Sequence, residues 1–140
     1  EMFLLDMKTI KPSDSNSPIE VCDLLSTDHQ FIHVKKKTRS ATLSHLFSQG
    51  TVSARVFLQD EHFRNELRKK LAKSKDHLTM IPDKRRPDAS QFEIAYAIIT
   101  KERPNWPKSL PFFSQLNLMQ HAKILVGLGF KVTLQQVKEK

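Results

Sequence analysis

Apolar and polar residues alternate through residues 19–37, and this pattern predicts a hairpin at the centre of the fold. Residues 19–25 are predicted to form its first strand and residues 30–36 its second. The polar residues 26–29 between them are of the types that favour a turn. We therefore take this hairpin as the element around which the rest of the chain is arranged.

The register of this hairpin decides which side chains meet. A hairpin that folds about Asp28 places Asp23 opposite His33, on the face that also carries Lys35. A slip of one residue would instead bring Glu20 to the face of Lys35. In either register a carboxylate lies beside Lys35, which is the smallest set of groups that can hold a divalent metal and polarise a phosphate.

The remaining pattern predicts alternating strands and helices. Apolar residues at three- and four-residue steps indicate a helix that begins near residue 40, and Asp60 is suited to cap a second helix. Residues 92–100 are apolar on both faces, as expected of a central strand buried under helices on both sides. The other predicted elements are a first strand at 2–5, a surface loop at 77–90, a last helix at 113–126 and a final strand at 130–134.

This order of elements predicts an α/β domain. It reads β-β-β-α-α-β-α-β, which is a meander followed by two helix–strand crossovers. We expect one mixed β-sheet with helices on both faces. We also expect a single domain over residues 1–140, because a chain of this length can bury one substantial core.

The charge of the chain points to a polyanionic partner. There are 23 Lys and Arg residues against 15 Asp and Glu, which gives a net charge of +8. A field of this sign attracts nucleic acid first and an anionic membrane surface second. The alternative is that the chain is merely a soluble basic domain without a polyanionic partner.

Cysteine content and hydropathy bear on location. The one cysteine, Cys22, has no partner for an internal disulfide, which favours the reducing cytoplasm. No apolar run approaches 18 residues, so we expect no membrane span. Because the chain starts directly on an apolar segment, we expect it to be the C-terminal part of a longer protein.

The order of strands, with an acid on the second and a lysine on the third, resembles the core of the PD-(D/E)xK, restriction-endonuclease-like nucleases. This resemblance implies that Asp23 binds a divalent metal and that Lys35 contacts the scissile phosphate or activates water. His33 falls where a second acid is expected. That departure leaves three options: Mn²⁺ in place of Mg²⁺, a ligand from elsewhere such as Glu20, or a degenerate fold without catalysis.

A second resemblance covers nearly the whole chain. It rests on the segments IEVCDLL, FIHVKKKTRSATLSHLFSQGTVSA and LPFFSQLNL. They are similar to a sporadically distributed family of uncharacterised bacterial proteins whose members are much longer. The resemblance implies contacts with a missing N-terminal region, and it suggests a role in bacterial defence.

Further residues near the hairpin are candidates for contact with nucleic acid. The run that includes Lys36, Lys37 and Arg39 can bind phosphates through charge alone. His45 and Gln49 lie four residues apart on the first predicted helix and are placed to reach the same site. The alternative for this pair is that both are ordinary polar residues of a helix face.

Two functions follow from these patterns. The first is a metal-dependent nuclease in which Asp23 and Glu20 hold Mg²⁺ or Mn²⁺ while Lys35 and His33 take part in catalysis. The second is a non-catalytic module that binds nucleic acid or protein and keeps the nuclease-like fold. The sequence favours the first by a small margin.

Overall fold

The computed structural model describes residues 1–5, 8–36, 40–101 and 105–139. Within these ranges the chain folds into seven strands, four α-helices and one short 3-10 helix, Ala89–Gln91. In chain order the strands and α-helices are β1 (Met2–Leu4), β2 (Thr9–Ile10), β3 (Ile19–Glu20), β4 (Leu24–Ser26), β5 (Gln30–Lys36), α1 (Ser40–Gln59), α2 (Glu61–Lys70), α3 (Lys75–Met80), β6 (Glu93–Thr100), α4 (Phe112–Gly127) and β7 (Lys131–Lys138).

Five of the strands form one mixed sheet in the order β1-β4-β5-β6-β7. The pairs β1–β4 and β4–β5 are antiparallel, whereas β5–β6 and β6–β7 are parallel. The prediction of a mixed α/β sheet is therefore confirmed. So is the interior position of the apolar strand β6, which has a parallel neighbour on each side.

The central hairpin has the predicted register but not the predicted first strand. Leu24 pairs with Ile32 and Leu25 with Phe31, so Asp23 falls opposite His33. Residues 19–25 do not form one strand, however. They divide into β3 and β4, and β3 pairs with β2 in a separate two-stranded sheet in which Thr9 lies opposite Glu20.

Helix α2 has the predicted N-cap but is shorter than predicted. Asp60 is the N-cap of α2, and its carboxylate accepts a hydrogen bond from the Phe63 backbone N–H at 3.2 Å. The apolar residues Phe63 and Leu67 face the core as expected. The second helix was predicted to run to about Lys75, but α2 ends at Lys70, and α3 (Lys75–Met80) extends into the segment 77–90 that was expected to be loop.

The prediction that helices cover both faces of the sheet is wrong for the described residues. Both crossovers, β5 to β6 and β6 to β7, step in the same direction across the sheet, and right-handed crossovers of this kind place their helices on one face. Helix α1 packs against β5, β6 and α4, and α4 packs against β7. On the opposite face the small residues Ala95 and Ala97 alternate with β6 residues that point toward the helices.

The core between helices and sheet is built from aromatic rings. The rings of Phe31, Phe57 and Phe92 lie 4.9–5.6 Å apart, in edge-to-face and stacked arrangements. Tyr96, which is fully buried, packs edge-on against Phe47 and donates its hydroxyl proton to the Phe47 carbonyl at 3.2 Å. This contact fixes α1 to the middle of the sheet.

Candidate functional site

The structure places His33 in the core. Its side chain is 3% exposed and its ring centroid is 5.8 Å from that of Tyr96. Nε2 has no hydrogen-bond partner among the described residues. Burial lowers the pKa of His33 to about 4, because the charged form cannot be solvated there. This is the environment of a neutral core histidine, without access to substrate.

Asp23 bonds to the backbone of the neighbouring strand. Its Oδ2 accepts a hydrogen bond from the Val34 N–H at 2.6 Å, and its own N–H donates to the Ile32 carbonyl at 3.0 Å. The chain turns out of the sheet just before β4, so no further backbone carbonyl of that strand faces Val34. The Asp23 carboxylate takes the place of that carbonyl, which is a structural role.

This contact gives a first prediction. Asp23→Ala should lower the free energy of unfolding by roughly 1–2 kcal/mol, because the Val34 N–H loses its acceptor. Urea unfolding followed by circular dichroism measures the change. Asp23→Asn keeps an acceptor oxygen and is the matched control, for which we expect about half the loss. Equal stability of Asp23→Ala and the parent would contradict the structural role.

The lysines at the carboxyl end of β5 are exposed. Lys35 lies beyond the buried His33 on the same face of the strand. Lys36 forms an ion pair with Glu139, with 2.7 Å between Nζ and Oε1, and this hydrogen bond lowers the pKa of Glu139. Part of the Lys36 charge is therefore neutralised within the domain. Lys37 and Arg39 lie outside the described residues.

Three other predicted residues come together at a cavity. Glu20 from β3, with His45 and Gln49 from α1, lines an opening of about 410 Å³ between the small sheet and the helix. The remaining lining residues are Thr9, Pro18, Ile19, Ser48 and Val52. The structure thus separates Glu20 from the Asp23–His33 pair and joins it to the helix residues.

The residues do not fit the metal centre implied by the nuclease resemblance. Glu20 lines the cavity, whereas Asp23 is bonded to the backbone of β5 and His33 is buried with its Nε2 unpartnered in the described part of the chain. Across residues 1–5, 8–36, 40–101 and 105–139, no three His, Cys, Asp or Glu side chains are grouped so that they could hold a metal ion. The predicted pairing of Asp23 with Glu20 around Mg²⁺ or Mn²⁺ has no support in this geometry.

A second region of interest lies on α2 and the loop after α3. Two arginines of α2 hold the end of α3 and the segment that follows it against α2. The Arg64 guanidinium donates to the carbonyls of Phe57 at 2.8 Å and Asp83 at 3.3 Å, and that of Arg68 donates to the carbonyls of Leu78 and Ile81. Arginine in a helix usually marks an exposed position, but Arg64 is buried.

These bonds order a basic surface on α2 and the following loop. We call it the α2 basic surface, and its members are Lys69, Lys70, Lys73, Lys84, Arg85 and Arg86. All six side chains are exposed or half-buried. Residues 64–88 contain nine Lys or Arg against four Asp or Glu, so most of the excess positive charge of the chain lies here. Burial lowers the pKa of Arg64, and the nearby charge of Arg86 acts in the same direction.

The fold and these surfaces define a mixed α/β domain with helices on one face of its sheet and a strongly basic helix–loop surface. Over residues 1–138 the chain matches the model of a family of unknown function, DUF6119, and it belongs to that family. No curated protein and no solved structure matches the chain. The restriction-endonuclease-like form of the fold therefore stays a prediction.

This match confirms the predicted resemblance to an uncharacterised family. Among the described residues, none of the helices is long and apolar enough to cross a membrane.

Proposed function

We propose that this domain is a nucleic-acid-binding module that does not itself cleave its ligand. The observation that carries the proposal is the α2 basic surface, whose loop is held in place by Arg64 and Arg68. Positive charges on an ordered surface attract the phosphate backbone and release its counterions on binding. Ordering before binding also reduces the conformational entropy that the side chains and loop lose in the complex.

Two features favour a polyanion over other partners. The four acids within residues 64–88 are fewer than half the bases, and Glu66 forms an ion pair with Lys69, with 3.0 Å between Oε1 and Nζ. The exposed Lys35 adds positive charge at the carboxyl end of β5. Such a distribution binds phosphates without reading sequence, so we expect affinity for nucleic acid in general.

The metal-dependent nuclease has weaker support. It needs an acid or another ligand at the position of His33, and that side chain is 3% exposed and held neutral by its low pKa. A nuclease site also needs a carboxylate that can bind the metal, whereas one oxygen of Asp23 already accepts a hydrogen bond from the Val34 N–H. Cleavage of plasmid or RNA in Mg²⁺ or Mn²⁺ that is lost in Lys35→Ala would reverse this preference.

The proposal makes a second prediction. Replacement of Arg85 and Arg86 together by Ala should weaken binding of labelled single-stranded RNA and DNA by about tenfold at 100 mM salt, alike for all sequences. The slope of log K against log[salt] should fall by roughly 0.7 for each phosphate contact that is lost. Fluorescence anisotropy across a series of salt concentrations measures both quantities.

The matched control removes the same charge elsewhere. Lys108 lies before α4 and Lys123 on α4, and both are exposed. Replacing this pair by Ala lowers the net charge equally, so binding should change by less than about threefold if the α2 basic surface is the contact region. Equal losses for the two double variants would mean that net charge alone drives binding. Absence of binding at low salt would overturn the proposed function.

A further inference from the structure

We propose that the cavity between β3 and α1 binds one unpaired guanine base of the nucleic acid, with the Glu20 carboxylate accepting hydrogen bonds from N1–H and the N2 amino group. This inference rests on the proposed function and deepens it. The α2 basic surface supplies affinity without sequence preference, and the cavity supplies a preference for one base. Single-stranded bases are commonly read in this way, on their Watson–Crick edges.

The cavity is built by two elements that fix its polar groups. His45, Ser48, Gln49 and Val52 follow one another on α1 at steps of three, four and seven residues from the first, so they share one face of the helix. Glu20 stands across from them on β3, where its backbone is paired with Thr9 of β2.

The polar side chains of the cavity are not used within the domain. Glu20, His45, Ser48 and Gln49 take part in none of the side-chain hydrogen bonds or ion pairs between described residues. The cavity of about 410 Å³ falls within the range of roughly 300–1,000 Å³ typical of small-molecule sites. It therefore has room for a nucleobase and polar groups ready to bind one.

The charge of the lining argues against a phosphate as the group bound inside. Glu20 is the one carboxylate among the lining residues, and none of them is a lysine or arginine. A carboxylate accepts hydrogen bonds through both oxygens and donates none, so it selects a ligand with adjacent N–H groups. The phosphates of the bound strand would remain outside the cavity.

Guanine is the base that meets this requirement. Its Watson–Crick edge presents N1–H and the N2 amino group side by side, so both carboxylate oxygens can accept. Adenine, cytosine and uracil each place an acceptor next to their donor, which would face a carboxylate oxygen unfavourably. The apolar residues Ile19 and Val52 offer contact to the faces of a ring, and Gln49 carries an amide that can donate to O6.

A cationic side chain from a protein partner would also suit a carboxylate. The net charge of +8 disfavours such a partner, because a basic peptide would be repelled by the rest of the domain. A base on a nucleic-acid strand suits both charges, because its N–H groups can bind the carboxylate and the phosphates of the strand are attracted by the positive domain.

The test uses the whole domain and a set of uridine octamers that differ at one central position. That position carries guanosine, inosine, adenosine, cytidine or uridine, and binding is followed by fluorescence anisotropy. Inosine lacks only the N2 amino group of guanosine. We expect the guanosine octamer to bind about tenfold more tightly than the other four, which is the discrimination of one good bidentate contact.

The diagnostic variant is Glu20→Gln, whose amide cannot accept through both atoms. It should bring the affinities for guanosine and inosine within about twofold of each other and leave binding of the all-uridine octamer unchanged. Asp76→Asn, which removes an exposed carboxylate of α3, is the matched control and should keep the preference.

The outcomes separate this inference from the proposed function. Salt-dependent binding that is equal for all five octamers would overturn the guanine site and leave the basic-surface proposal standing. Preserved discrimination in Glu20→Gln would also overturn the site. If no octamer binds at low salt, both proposals fail. A basic peptide that binds in place of the octamers and depends on Glu20 would likewise overturn the guanine assignment.

Discussion

Gly50→Ala should destabilise the domain by about 2 kcal/mol, although Ala ordinarily stabilises the interior of a helix by roughly 1 kcal/mol over Gly. A Cβ atom at position 50 would lie 2.2 Å from the hydroxyl oxygen of Tyr96 and 2.8 Å from its Cε1 and Cζ atoms. Tyr96 has no room to withdraw, because it is fully buried and hydrogen-bonded to the Phe47 carbonyl. The glycine is therefore required by the close packing of α1 on the sheet.

Urea unfolding of paired variants measures this effect. Gly127→Ala is the matched control, since a Cβ atom there would have no other atom within 4 Å. We expect its stability to equal or slightly exceed that of the parent. Tyr96→Phe in the Gly50→Ala background removes the nearest contact and should recover part of the loss. A Gly50→Ala variant as stable as Gly127→Ala would show that the helix and sheet can move apart freely.

His33 should make the domain lose stability as the pH falls below about 6.5, the pKa of histidine in the unfolded chain. In the folded protein burial lowers this pKa to about 4, so between these values the unfolded state binds a proton that the folded state does not. The stability is fully present above pH 6.5 and is lost progressively as the pH approaches 4. By pH 5 the expected loss from this residue is about 2 kcal/mol, and at lower pH it approaches roughly 3 kcal/mol.

The measurement compares free energies of unfolding at pH 7.5 and pH 5.0. Leucine has a similar volume and binds no proton. For His33→Leu the difference between the free energies of unfolding at pH 7.5 and pH 5.0 should therefore be about 2 kcal/mol smaller than for the parent. His62 is exposed, and His62→Gln is the matched control for the loss of a histidine. If His33→Leu and the parent respond equally to pH, the histidine is already solvated in the folded domain.

The hairpin shows what the sequence can predict. Its register follows from alternation and from the polar turn, both of which are local, and Asp23 falls opposite His33 as those two features require. The departure of residues 21–23 from the strand has no such signal. Val21 and Cys22 are apolar and buried, as strand residues would be, and the carboxylate of Asp23 replaces the missing backbone partner of Val34.

The cavity and the buried arginine could not be predicted because they depend on contacts between distant segments. Glu20 faces α1 only because β3 pairs with β2, a strand of two residues that leaves no periodic pattern. The burial of Arg64 depends on carbonyl groups of α1 and of the loop after α3. Arginine in a helix otherwise indicates an exposed position.

The position of the helices illustrates a different limit. An apolar strand such as β6 indicates burial on both faces, and the sequence does not say whether a helix or small neighbouring side chains provide it. Here α1 packs on the side of Tyr96 and α4 packs against α1, while Ala95 and Ala97 are small enough to be buried on the other side. Strand order, which decides the matter, is not encoded in any local pattern.

The parallel pairing of β5, β6 and β7 also sets how the chain reaches this structure. Gln30 and Glu93, which bond across the first parallel pair, are 63 residues apart, and Glu93 and Thr133 of the second are 40 apart. Loops of this length must close before either contact stabilises the chain, so folding in milliseconds to seconds is expected rather than the microseconds of helical bundles. Until each loop closes, the corresponding edge of strand β6 is unpaired. In a nascent chain β5 is already available to β6, but the other edge of this apolar strand stays open until β7 has been synthesised.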